Sequence, residues 1–278
     1  MLSKRILSGF FVAVVLVSVF LRSGNSFFIK AVSAVFSVIC TYELFKVSGC
    51  FNSSLANGKK TVNIILFLAG TTIAVFIPFV RIPYFYIVIL VLLLFVISAF
   101  SFFANCLYQF SGVNAAAALL LSIVSSLFLS SMVYIREKDD GFLLLGIAFL
   151  TAGLTDIFAF LVGRNCGKKP LIKAISPNKT IEGALGGILW TIAIVSAFVF
   201  IIDKSGVLSV NISYIKLIIY LFIASVVGQL GDLSFSLVKR VCKVKDFGNL
   251  IPGHGGFLDR ADSLILVLPF TYLFFTLF

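Results

Sequence analysis

Between Gly231 and Asp262 the sequence sets Asp232, Asp246, Asp259 and Asp262 among Lys239, Arg240, Lys243, Lys245 and Arg260, with His254, the only histidine of the chain. Those four carboxylates come from only 11 acidic residues in 278. Apolar sequence runs up to this stretch and resumes at Leu264. A bilayer makes charge between spans expensive, so a cluster there calls for a function. If Asp232 to Arg240 is helical, Asp232, Ser236, Lys239 and Arg240 fall at i, i+4, i+7 and i+8, on one face. Pro252-Gly253-His254-Gly255-Gly256 reads as a tight loop whose backbone N–H groups can converge on an anion. Asp259 and Asp262 follow at i, i+3 spacing. Carboxylates, cations and a glycine loop together suit a phosphate site bridged by Mg²⁺, which takes a few carboxylates and completes its shell with substrate phosphates.

A second polar stretch runs from Thr155 to Gly187. Asp156 lies well inside an apolar run, and Asp156, Ala159 and Gly163 have helical spacing towards Arg164. Ser176-Pro177 has the form of an N-cap followed by proline at N1, so that Lys179, Thr180 and Glu182 open the next span. The two stretches hold 6 of the 11 acidic and 10 of the 22 basic residues. A polar reaction would have to be run there.

The elements that must position these residues are membrane helices. The chain is 60% hydrophobic and 12% charged, with mean hydropathy +1.15, whereas a soluble domain carries about 25% charged residues. The fold class is all-α, a polytopic membrane helix bundle. Apolar windows at 6–21, 27–45, 61–79, 84–104, 113–135, 141–163, 182–202, 213–231 and 263–278 give about nine transmembrane helices. Residues 1–110 form N-terminal transmembrane helices. Residues 111–278 form a catalytic region with the two polar stretches, 155–187 and 231–262. Lys4-Arg5 before the first window mimics a signal peptide, but Arg22-Ser23-Gly24-Asn25 offers no small-residue cleavage site, and an uncleaved helix is expected.

With the N-terminus cytoplasmic, most of the 22 basic residues fall on the cytoplasmic side, as the positive-inside rule requires. Both polar stretches then face the cytoplasm. The net charge of +11 does not argue for nucleic acid, because the basic residues interrupt apolar spans and form no solvated stripe. Anionic lipid and phosphate ligands account for it better. Five scattered cysteines without C-x-x-C spacing argue against a disulfide framework or a zinc site. Glu43, inside the second window, reads as a carboxylate near a helix end that reaches the interface.

The motif residues Ser236-x-x-Lys239-Arg240, Lys245-Asp246-x-Gly248 and Pro252-x-His254-Gly255-Gly256-x-x-Asp259-Arg260-x-Asp262 resemble the signature of the phosphatidate cytidylyltransferase (CDP-diacylglycerol synthase) family. Ala261 departs from it, standing where the family usually has a larger apolar residue. Upstream, Asp156, Ala159, Phe160, Gly163, Arg164, then Ser176, Pro177, Lys179, Thr180, Glu182 and Gly183, are similar to the same family in the same order. Members often carry tyrosine in place of Phe160. The resemblance spans roughly the C-terminal half.

The resemblance implies transfer of a cytidylyl group from CTP to phosphatidic acid, with Mg²⁺ as cofactor and a second metal ion left open. It implies an inner (cytoplasmic) membrane enzyme amid membrane lipids, with a homodimer among the assemblies available to it. Asp232 and Asp259 are expected as metal ligands, by family position and because they flank the glycine loop. Asp262 and Asp156 come second. Lys239, Arg240 and Arg260 are candidate phosphate clamps. Lys179 with Ser176 is expected to contact nucleotide or lipid phosphate, near Thr180, Ser236, Gly255 and Gly256. His254 either hydrogen-bonds phosphate or holds the loop. Asp246, beside Lys245, suits a ligand or an ion-pair partner equally. Two rival readings are a CTP-dependent polyprenol or lipid-alcohol kinase and an ion-coupled transporter. The complete His-Gly-Gly-x-x-Asp-Arg-x-Asp run disfavours the first. Clustering of the acids in the C-terminal half disfavours the second.

Overall fold

A computed structural model describes residues 26–51, 57–80, 113–138, 140–173, 175–205, 213–250 and 255–278. Seven helices account for most of them: α1 (Ser26–Val47), α2 (Asn57–Phe76), α3 (Val113–Arg136), α4 (Gly141–Cys166), α5 (Ile181–Lys204), α6 (Tyr214–Val241) and α7 (Leu258–Leu277). All seven contain stretches long and apolar enough to cross a membrane. They coincide with seven of the nine apolar windows. The windows 6–21 and 84–104 lie outside the described residues, as do Pro252, Gly253 and His254. Hydropathy ended the window 213–231 just before Asp232. The helix does not end there, because i→i−4 backbone bonding continues wherever the chain stays regular, and α6 runs on to Val241.

Among the described residues, the strands form one small sheet. Strands β1 (Pro170–Ile172) and β2 (Ser176–Thr180) form an antiparallel hairpin, with Pro170 opposite Thr180 and Ile172 opposite Ser176. This corrects the expected N-cap at Ser176. Ser176 and Pro177 are strand residues, and a two-stranded hairpin has only edges, where a proline's missing N–H is tolerated. The cap of α5 is Thr180, whose Oγ1 accepts from the Gly183 N–H at 3.1 Å. Glu182, in the first turn, accepts from the N–H groups of Lys168 and Lys169 at 3.1 and 3.2 Å. That contact ties the entry of the hairpin to the start of α5.

Two compact units divide the chain: residues 1–133 with 237–261, and residues 134–236 with 262–278. In the first unit α1 packs along α2, and Phe45, Cys50 and Ala118 are buried with Leu66 and Phe67 against them. The buried Ser122 and Ser126 hydroxyls on α3 donate to the carbonyls four residues back, at 2.6 and 2.7 Å. No polar partner on another helix is then needed for them.

In the second unit α4 and α5 approach closely because α5 opens with glycines. A Cβ built at Gly183 would lie 2.6 Å from the Ala159 carbonyl oxygen, and one at Gly187 2.8 Å from that of Thr155. Small residues let membrane helices approach where no hydrophobic effect drives them together. The Thr155 hydroxyl adds contacts at 3.1 Å to both Thr191 and Ser225. Deeper in the unit, Tyr220 is fully buried among Val195, Val199, Leu217 and Phe274, and its hydroxyl meets Thr271 at 2.8 Å. Lys138, between α3 and α4, reaches the end of α7 and donates to the Phe275 carbonyl at 2.9 Å. Burial pulls its ammonium below the usual lysine range.

Candidate active site

The second unit holds a cavity of about 420 Å³ whose lining includes Asp156, Phe160, Arg164, Lys179, Gln229 and Asp232. That volume suits a small-molecule ligand. Its polar residues come from three places. Asp156 lies on α4 and Asp232 on α6, each inside a long helix that fixes its direction. Lys179 lies at the end of β2, held one residue before the Thr180 cap. The Lys179 ammonium pairs directly with the Asp232 carboxylate. Ser236, one turn further along α6, donates to Asp232 at 3.3 Å. Asp156 accepts from the Ser263 hydroxyl of α7 at 2.8 Å. Gln229 donates to the Ala184 carbonyl at 3.0 Å, tying α6 to α5. Gly231 permits a close approach of α6 to α7: a Cβ there would lie 2.7 Å from the Asp262 carbonyl oxygen.

The cavity is therefore amphipathic. Phe160 and Leu233 are apolar, while Arg164, Lys179, Asp156 and Asp232 supply both signs of charge. Of the expected contact residues, Lys179 and Thr180 line it. Ser176 sits on β2 opposite Ile172 and is not among the lining residues.

The first unit builds a different cluster around the segment 246–259. Asp259, in the first turn of α7, has both oxygens engaged. One accepts from the Lys239 ammonium at 2.9 Å; the other accepts from the N–H groups of Phe247 and Gly256 at 2.9 and 3.0 Å. The Lys239 and Asp259 side chains are only 11% and 5% exposed, so their pairing is shielded from water. Gly255 has φ of +86°, a backbone conformation that glycine adopts without penalty. Arg240 and Arg260 are exposed, and so are Lys245 and Asp246.

Glu43 enters this cluster from α1. Its two carboxylate oxygens accept from the Phe257 and Leu258 N–H groups at 2.9 and 2.8 Å. These are the amides of the residue before α7 and of its first residue, which the helix itself leaves without acceptors. The expectation of an interfacial carboxylate is thereby corrected. Glu43 is 1% exposed because it faces these amides, which supply the hydrogen bonds that water would otherwise give.

The sequence model of the cytidylyltransferase family matches residues 3–278. The chain belongs to the cytidylyltransferase family. Among its relatives, a phosphatidate cytidylyltransferase of Bacillus subtilis is 45% identical over 147 residues, covering 52% of each chain. Those of Staphylococcus haemolyticus and Staphylococcus epidermidis are 40% and 41% identical over 161 residues, 58% of this chain and 59% of theirs. The aligned part thus spans a little over half the length of these relatives.

The arrangement brings together much of what the sequence singled out. Asp156, Lys179 and Asp232, from both polar stretches, share one cavity. Lys239 and Asp259 share one ion pair. Asp262 is buried, and its carboxylate accepts from the Ser263 N–H at 2.9 Å. Two residues were undervalued. Glu43 carried a signal, an acid in an apolar run, but its partners lie 214 and 215 residues away. Gln229 carried none.

Mg²⁺ takes oxygen ligands and commonly only one or two carboxylates, the remainder being phosphate oxygens and water. Asp156 and Asp232, facing one cavity, fit that demand. Among the described residues no group of three or more His, Cys, Asp or Glu could hold a metal alone. The fit is therefore to an ion shared with a phosphate ligand.

Proposed function

We propose that this protein transfers the cytidylyl group of CTP to phosphatidic acid, releasing pyrophosphate and forming CDP-diacylglycerol. The observation that carries the reading is the Lys179–Asp232 pair inside a cavity that also holds Asp156 and Arg164, in a chain whose relatives bear the name phosphatidate cytidylyltransferase. A phosphate oxygen of the lipid attacks the α-phosphorus of CTP. The new P–O bond forms as the bond to the β-phosphate bridging oxygen breaks, and the electron pair leaves with pyrophosphate. The nucleophile is already anionic at neutral pH, so charge neutralisation and in-line placement are the main demands.

In this reading Lys179 and Arg164 neutralise phosphate oxygens in the cavity. Asp232 and Asp156 would hold Mg²⁺, which when bound would offset the charge on the phosphates. Of the remaining acids expected at the metal, Asp259 is engaged by Lys239, Phe247 and Gly256 at the start of α7, and Asp262 by the adjacent Ser263 N–H. The apolar lip at Phe160 and Leu233 suits the glycerolipid end of the substrate. We further infer nine spans, counting 6–21 and 84–104, with both polar stretches on the cytoplasmic side of the inner membrane. Assembly as a homodimer is compatible with this arrangement.

The test is an assay of purified protein with CTP, phosphatidic acid and Mg²⁺. Pyrophosphate release with a CMP–lipid adduct is expected. Lipid phosphate with CDP would instead make the protein a kinase, and equal turnover of ATP would count against cytidylyl transfer.

A further inference from the structure

The glycine segment invites the idea that its amides cradle a substrate phosphate. Among the described residues, the anions those amides meet belong to the protein. Phe257 and Leu258 donate to Glu43, while Phe247 and Gly256 donate to Asp259. Two motif glycines exist in this structure to admit Glu43. A Cβ at Gly248 would lie 2.6 Å from the Glu43 Oε1, and one at Gly256 2.7 Å from the same oxygen and 2.8 Å from the Gly248 nitrogen. At Gly248 the obstacle is the Glu43 side chain alone; at Gly256 a backbone nitrogen adds to it.

Glu43 therefore does for α7 what an N-cap residue does for an ordinary helix, but from another helix. The position before Leu258 is Phe257, which has no side-chain acceptor to offer. A carboxylate at that end also meets the positive end of the helix dipole. Phe36, two turns back on α1, packs its ring 4.7 Å from that of Phe257, so α1 grips the start of α7 by a polar and an apolar contact. The same grip sets the backbone carrying Asp259, and with it the Lys239 ion pair.

We propose that Glu43 is a positioning residue for the cytidylyl transfer, acting through Phe257, Leu258 and the start of α7 and not by touching substrate. The proposal rests on the activity assigned above. It predicts that the charge and reach of Glu43 matter to turnover out of proportion to their effect on the fold.

The experiment uses the full-length protein in detergent or nanodiscs. It compares wild type, Glu43→Gln and Glu43→Asp by Mg²⁺-dependent pyrophosphate release, thermal midpoint and amide hydrogen exchange. Glu43→Gln is expected to lower kcat on the order of tenfold, as a small misplacement passed on from a mutation away from the chemistry does, with KM for CTP changed less than about twofold. Exchange should quicken at Phe257 and Leu258 while other helices keep their protection. Glu43→Asp, which keeps the charge, should recover part of the lost kcat. Wild-type kcat in Glu43→Gln overturns the proposal. So does a loss of activity that merely follows a fallen thermal midpoint in both variants, which would make Glu43 purely structural. If wild type itself releases no pyrophosphate from CTP, the assigned activity fails, and this role of Glu43 falls with it.

Discussion

Lys179 at the end of β2 pairs with Asp232 on α6, so a cation from one polar stretch and an anion from the other meet in one cavity. In the absence of ligand each masks the other's charge. On the function proposed above, a substrate phosphate would compete for Lys179 and leave Asp232 available to a metal ion.

This predicts a specific response at Asp232. The pair is partly exposed, at 29% and 22%, so breaking it should cost less than about 1 kcal/mol of stability. Asp232→Asn keeps size and polarity but removes the charge, and turnover should fall on the order of 10²-fold, the scale of one lost electrostatic stabiliser. Pyrophosphate release and thermal midpoint measured on the same sample check both halves. A variant with near wild-type activity would take Asp232 out of the site.

Asp259 should respond differently. It is shielded from water and engaged by Lys239 and two backbone amides. Removing one partner of a buried pair costs about 3–5 kcal/mol. Asp259→Asn and Lys239→Met should therefore both lower the thermal midpoint well below that of Asp232→Asn. A fully stable Asp259→Asn protein would show that the ion pair does not order this segment.

The α4–α5 contact gives a prediction without charges. Gly183→Ala would force a Cβ to 2.6 Å from the Ala159 carbonyl oxygen and 2.9 Å from the Gly163 Cα, both backbone atoms. Overpacking of this kind costs about 1–3 kcal/mol. Gly153 on α4 has nothing within 4 Å of an added Cβ, so Gly153→Ala should stabilise the helix by about 0.5–1 kcal/mol. Opposite shifts of the thermal midpoint are expected. Equal shifts would mean that the close helix approach is wrong.

Orientation is checked by labelling. Asn178 on β2 and Asn249 are exposed. Single cysteines at either place, in a background without the five native cysteines, should react with an impermeant reagent only from the cytoplasmic side. Reaction from outside reverses the topology.

What could be read from the sequence followed the range of the interactions. Helical spacing of Asp232 and Ser236 is a local property, and their contact is present. Hydropathy located seven helices but set the end of α6 just before Asp232, too early, since regular backbone bonding does not depend on polarity. Ser176-Pro177 satisfied the local rule for a helix start, yet the cap fell to Thr180 because pairing with β1 claimed Ser176 for a strand. That competition between a cap and a strand partner is not local. The Glu43 contacts were hidden for the same reason. An isolated acid in an apolar run shows that a partner exists but not which one.

The Glu43 contact also orders events during synthesis. Its carboxylate is made 214 residues before the first amide that receives it. At about 5–20 residues per second, that is a wait of roughly 10–40 s. Throughout that time α1 must carry an acid without its final partners, and the first unit cannot close until α7 begins. Quality control acting on unpaired intramembrane acids would have that interval in which to act.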